Sequence, residues 1–276
     1  MAPPPPANLP FAQRMKMLAQ TLQFTWFLGH FLLLCSVFRY AIAFITFNSQ
    51  STGAQVGYRL AFAFAAVTYG IVVYKAHFSH GCPKIPKLHL LLRLGMDENV
   101  QYLIMALVWL YAREITFALV PFAIYSIFHV ASYSRSYLIP TIFPPTRNSD
   151  GTLTQHVWID SLSRFVKTYH DASMSIVAQF ELMVLVRLFF TAFSFQTGSM
   201  LLFGVYAMFY RFRYHNSIFV KAATAHAEAR VDTALSHRST PNWIRGGWEV
   251  FKKAVAKAYW ALDLERYVSE QPRKDH

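Results

Sequence analysis

The sequence predicts an all-α, multi-pass helical membrane protein with about three membrane hairpins and additional interfacial amphipathic helices. Three observations carry that prediction. Apolar residues make up 54% of the 276 and charged residues 14%, against roughly 25% charged in soluble domains. That is too little charge to coat a water-facing surface of this size. The apolar residues are gathered into runs of about 20, the length a helix needs to cross ~30 Å of hydrocarbon. Aromatic residues reach 17%, and Trp and Tyr favour the membrane–water boundary.

The elements follow in chain order. Residues 1–23 form a Pro-rich segment and a short amphipathic stretch, with Phe11, Met15, Leu18 and Leu22 on one face. The first crossing is expected at 24–47 and contains His30 and Arg39; it is too long for a signal-peptide core and reads as an uncleaved anchor. Polar, uncharged 48–57 reads as a turn, and a second crossing, with Arg59, is expected at 58–78. The connector 75–93 is basic and is broken by Pro83 and Pro86. Asp97 and Glu98 then suit the start of a helix, where carboxylates meet free N–H groups.

Residues 100–137 admit two readings. One is a shallow hairpin with Arg113 and Glu114 near its tip; the other is a single long crossing that starts late. The hairpin is preferred, because 100–112 is apolar yet too short to cross. A Pro-rich loop follows at 139–151, an amphipathic stretch at 154–171, and a crossing at 174–195 that holds Glu181 and Arg187. After a tight turn at 196–198 the chain re-enters at 199–210, in a helix expected to continue through the Ala-rich stretch 220–235. The chain thus divides into 1–23, a membrane-embedded unit 24–213, and a tail 214–276 carrying a basic amphipathic helix at 241–268.

The formal net charge of +12 comes without any nucleic-acid-binding signature, so nucleic acid is not an expected partner. Lys and Arg instead collect in alternate connectors, while 48–57 and 196–198 carry no charge. Under the positive-inside rule every basic connector fits one side, which places both termini in the cytosol. Cys35 and Cys82 cannot form a disulfide framework and read as free thiols.

Two amphipathic stretches are candidate bilayer-surface elements. In the tail, Ile244, Trp248, Phe251, Val255, Tyr259 and Leu262 form a stripe with Arg245, Lys252, Lys253 and Lys257 off it. Such a helix suits the headgroup plane of an anionic or curved bilayer. In 154–171, Trp158, Leu162, Phe165 and Tyr169 form a similar stripe, which could equally pack on the bundle itself.

Chemistry is sparsely marked. His77, His80, Cys82 and His89 lack the paired spacing of a zinc site, so no metal or cofactor is expected. Neither a phosphate loop nor a nucleophile elbow occurs, and an enzyme is not expected. Ionisable groups at membrane depth are costly and often functional; here they are Arg39, Arg59, Arg113, Glu114, Glu181 and Arg187. Glu181 is expected to pair with an arginine on a neighbouring helix. The alternative is a small-solute channel or transporter using the same groups, against which stands the lack of an internal repeat.

The run Asp97-Glu98-Asn99-Val100-Gln101-Tyr102-Leu103-Ile104, with Pro121-Phe122-Ala123-Ile124-Tyr125-Ser126-Ile127-Phe128-His129, resembles the transmembrane protein 33 family. That family includes fungal pore-membrane nucleoporins. The resemblance covers most of the chain and implies residence in the endoplasmic reticulum membrane and nuclear envelope, at or near nuclear pores. It also implies reticulon-type proteins and nuclear pore scaffold proteins as partners, and no catalytic residues. The basic tail suits an importin as well. Arg273-Lys274-Asp275-His276 resembles a dilysine retrieval signal with Arg at one position.

Overall fold

A computed structural model describes residues 5–6, 8–79, 87–147, 153–194, 198–237 and 240–261. Eleven helices are found among them: α1 (Phe11–Ala19), α2 (Leu22–Ile45), α3 (Thr52–His77), α4 (Lys87–Met96), α5 (Glu98–Tyr111), α6 (Leu119–Tyr133), α7 (Ile139–Ile142), α8 (Val157–Ala192), α9 (Ser199–Asn216), α10 (Ile218–Leu235) and α11 (Asn242–Ala261). Among the described residues strand pairing is limited to two residues each from β1 (Thr146–Arg147) and β2 (Leu153–Thr154), which run antiparallel. The protein is therefore all-α in architecture.

Helix starts follow local chemistry. The hydroxyls of Thr21 and Ser51 accept from the amides of Phe24 and Ala54, and the Asp97 carboxylate accepts from Asn99. Each side chain satisfies an amide that would otherwise lack an intrahelical partner. α2, α3, the 116–142 region and α8 are long and apolar enough to cross a membrane.

The helices pair as three hairpins with a common direction. α2 lies antiparallel to α6: His30 meets Ser126 at one level, and Tyr40 meets Thr116 at the other. α3 lies antiparallel to α5, as Tyr58 contacts Ile115 and Tyr69 stacks on Tyr102. α5 opposes α9 in the same way, through Trp109 with Tyr206 and Tyr102 with Phe209. So α2, α5 and α8 run one way, and α3, α6 and α9 return. The 100–137 region is a hairpin: Tyr102 on α5 packs on Phe122 and Tyr125 of α6 across a turn containing Arg113 and Glu114. α5 has 14 residues, about 21 Å, and cannot span alone.

Packing is inside-out relative to a soluble protein. Trp109, Tyr58, Phe62, Leu33 and Met105 are fully buried in the bundle, together with polar His30, Thr68 and Glu181. Large apolar side chains meanwhile face outward; Phe38 is 69% and Phe190 67% exposed. Apolar area of this kind needs lipid around it.

Four boundaries differ from the sequence expectation. The turn expected at 48–57 is cut short, because Ser51 caps α3 and the helix already starts at Thr52. The loop expected from residue 139 starts later, because α6 continues through a π-turn (Ser134–Leu138) into α7. Pro140 falls in the first turn of α7, directly after the π-turn. The amphipathic stretch 154–171 and the crossing 174–195 merge into α8, 36 residues long, about 54 Å. Ala172 and Ser173 offer nothing to break it. Conversely, the last helix does not run on through 220–235: it stops at extended Ser217, whose hydroxyl caps α10 through the Val220 amide.

Candidate functional site

The expected partner of Glu181 is Arg213. Glu181 is 1% and Arg213 4% exposed. Arg213 Nε lies 3.2 and 3.3 Å from the two carboxylate oxygens of Glu181. Its Nη1 donates to Glu98 at 2.9 Å and its Nη2 to the Tyr125 hydroxyl at 3.1 Å. Tyr102 donates to Glu181 Oε1, and the Tyr206 hydroxyl donates to the Glu181 carbonyl at 3.1 Å. Four helices, α5, α6, α8 and α9, are thus joined at one ionic node. A buried charge is tolerable only when paired and fully hydrogen-bonded, and this arrangement meets that condition. The enclosed space beside Glu181 is about 10 Å³, room for one water at most. The carboxylate is therefore engaged within the bundle rather than presented to a solute.

Sequence reading missed Arg213 as a member of this node, because it follows an apolar run and sits among Arg211 and His215. It looks like a connector charge. Its burial depends on Glu98 and Glu181 arriving from two other helices. The one available signal was that Glu181 lacks a cation on its own helix within one turn on either side.

The other intramembrane charges divide by role. Arg59 Nη1 lies 2.8, 2.9 and 2.6 Å from the carbonyls of Trp109, Leu110 and Ala112. It closes the C-terminus of α5, whose last carbonyls have no helical donors. Arg39 donates to the Gly53 carbonyl at 3.2 Å and braces the α2–α3 turn. Arg113 is exposed and Glu114 half-buried at the tip of the α5–α6 hairpin, and Arg187 is exposed on α8. The geometry does not bring these six charges together.

The amphipathic faces are only partly free. On α8, Phe165 stacks against Phe128 of α6, while Trp158 and Tyr169 are 58% and 54% exposed and Leu162 is half-buried. This stripe therefore packs at its centre and faces outward at both ends. On α11, Arg245 donates to the carbonyls of Leu235 and His237 and closes α10. Trp248 Nε1 donates to Asp232 at 2.6 Å, and Lys252 reaches Asp232 at 3.1 Å and Glu249 at 2.8 Å. The Phe251 ring lies 5.9 Å from Phe189 of α8. The sequence places this helix in a tail outside the membrane-embedded unit; in the structure it folds back on α10 and touches α8, with Asp232 of α10 accepting from Trp248 and Lys252. Ile244 is half-buried, and Lys253, Val255 and Lys257 are exposed. Tyr259 lies in α11 but its side chain is outside the described residues, as is Leu262 altogether.

His77 shares a 2.7 Å hydrogen bond with Asp97, while His80 and Cys82 lie outside the described residues. His156 caps α8 through the Trp158 amide and stacks on Phe143. Among the described residues no cluster of three potential metal ligands occurs.

Comparison with known proteins places these features. The profile of the transmembrane protein 33/nucleoporin POM33 family matches residues 5–259. The chain is 46% identical to nucleoporin POM33 of Chaetomium thermophilum, covering 98% of this chain and 97% of that protein. It is 33% identical to tetra-spanning protein 1 of Schizosaccharomyces pombe, over 90% of this chain and 88% of that one. It is 29% identical to the pore membrane protein of 33 kDa of Saccharomyces cerevisiae, over 91% and 90% respectively. No solved structure matches significantly. A multi-pass helical bundle with this alignment along nearly its whole length belongs to the transmembrane protein 33/nucleoporin POM33 family.

Proposed function

We propose that this chain is a structural membrane protein of the endoplasmic reticulum and nuclear envelope that stabilises strongly curved bilayer, at nuclear pores or along tubules. The observation that carries the reading is the combination of three hairpins of common direction with amphipathic helices whose apolar and basic residues are left partly uncovered. Hairpins that fill one leaflet more than the other, with further helices in the same headgroup layer, expand that leaflet and favour bending. The names of the relatives, nucleoporin and pore membrane protein, agree with a pore-associated role. In this reading both termini are cytosolic, and reticulon-type proteins, nuclear pore scaffold proteins and an importin engaging the basic tail are the protein partners.

The tail supplies the movable part. Lys221, Glu228, Arg230 and Asp232 are exposed along α10, which packs on α8. Such groups would be costly in hydrocarbon. In a bilayer the α10–α11 pair therefore swings about the Ser217 break to the aqueous face, and α11 exchanges its contact with Phe189 for the headgroup layer. Trp243, Val250 and Val255, all exposed, add apolar area there, and each nearby Lys adds about 1 kcal/mol at an anionic surface.

Imaging of the tagged full chain beside a pore marker tests the proposal, with a copy ending before residue 240 as the second sample. Envelope enrichment of the first and a diffuse reticular pattern of the second is the expected result. A uniform pattern for the full chain would remove the pore assignment.

A further inference from the structure

A cleft of about 490 Å³ opens where α6 ends, between the N-terminal segment and the start of α8. Its volume falls within the range of small-ligand sites. Arg135 and Ser136 enter it from the π-turn, and Gln155 from the residues before α8. Pro5, Pro140 and Pro145 form stiff walls. π-turns recur at functional sites because they break the regular ladder to re-aim a side chain, and here the side chain is an arginine.

The polar residues that line it, Arg135, Ser136 and Gln155, can each donate a hydrogen bond. Among the described residues Arg135 has no carboxylate partner; its Nη1 reaches only Ser163 Oγ, at a long 3.4 Å. Gln155 and Ile159 flank the N-terminus of α8, the positive end of a long helix dipole.

We propose that this cleft binds the phosphate group of an anionic lipid headgroup. A guanidinium fork matches two phosphate oxygens, and Ser136 and Gln155 add neutral donors. The position suits a headgroup: α6 has just left its apolar stretch, and Trp158 stands exposed nearby at the start of α8. A soluble phosphate ester offers the same chemistry, so the acyl chains must be tested separately.

The test uses the full chain in detergent, titrated with dioctanoyl phosphatidylinositol 4-phosphate, dioctanoyl phosphatidylcholine and free inositol phosphate. The first is expected to bind, the second not, and the third at least about ten-fold more weakly than the first. Arg135→Gln is expected to weaken binding by at least ten-fold, the loss of a charge-assisted hydrogen bond; Arg135→Lys should fall between. Ser136 is exposed, so Ser136→Glu places a repelling charge in the cleft without disturbing the bundle and should abolish binding. Equal affinity for free inositol phosphate, with the same sensitivity to both variants, would keep the phosphate site and assign its occupant to solution. Binding of none of the three, or binding unchanged in Arg135→Gln and Ser136→Glu, would overturn the proposal.

Discussion

Arg213 on α9 and Glu181 on α8 meet at 3.2 Å in the interior of the bundle, with both side chains at least 96% buried. Neither residue is tolerable alone in such a place, so each fixes where the other must be. The pair also recruits α5 through Tyr102 and Glu98, and α6 through Tyr125. It is a registration device for the second and third hairpins.

Removing one partner strands the other. Arg213→Met or Glu181→Met should each destabilise the bundle by about 3–5 kcal/mol. The double variant should lose clearly less than the sum, because neither charge is then left unpaired. Thermal unfolding of the detergent-solubilised chain reads this, and additive losses would show that the two residues act independently.

The α2–α3 seam depends on a missing side chain. A Cβ built on Gly29 would lie 2.5 Å from the γ-methyl of Thr68, and Thr68 is fully buried with its hydroxyl bonded to the Ala65 carbonyl. Gly29→Ala should therefore cost about 1–3 kcal/mol through overpacking. Thr68→Ser removes the clashing methyl and should restore most of that loss when combined with it. A Gly29→Ala chain that melts like the parent would refute close packing at this point.

The link between α3 and the start of α5 should be lost in acid. Burial pushes the Asp97 carboxyl up, but hydrogen bonds from His77 and Asn99 outweigh it and hold the group below its ordinary 3.8. The folded value thus lies below the unfolded one. Its contribution is complete above the unfolded value and is lost as pH falls through the lower folded one. Melting temperature followed from pH 6 towards 3 should drop, and Asp97→Asn should flatten that drop. The same slope in both chains would assign the effect elsewhere.

The docking of α11 can be followed with a cysteine pair. Phe189 and Phe251 approach to 5.9 Å between ring centroids. With Cys35 and Cys82 replaced by serine, Phe189→Cys/Phe251→Cys should crosslink in detergent and lose most crosslinking in anionic liposomes. Equal yields in the two environments would keep α11 on the bundle and end the proposed swing to the headgroup layer.

Much of the fold was legible because lipid imposes a one-dimensional rule: a crossing must be a continuous apolar helix of sufficient length. The first two crossings, the α5–α6 hairpin with Arg113 and Glu114 in its turn, and the Asp97 cap could all be read from composition and spacing. Glu181 announced the need for a cation for the same reason. What could not be read is which helix supplies each partner. Arg213 looked like a connector charge until α5 and α8 supplied Glu98 and Glu181. The stripe at 154–171 looked like a separate helix, at the bilayer surface or against the bundle, though nothing in its sequence separates it from the crossing that follows. Trp248 and Lys252 looked free until Asp232 arrived from α10. Hydrophobic length is a local property and the chain alone determines it. The pairing of a charge depends on what stands opposite, and that is decided only when the helices assemble.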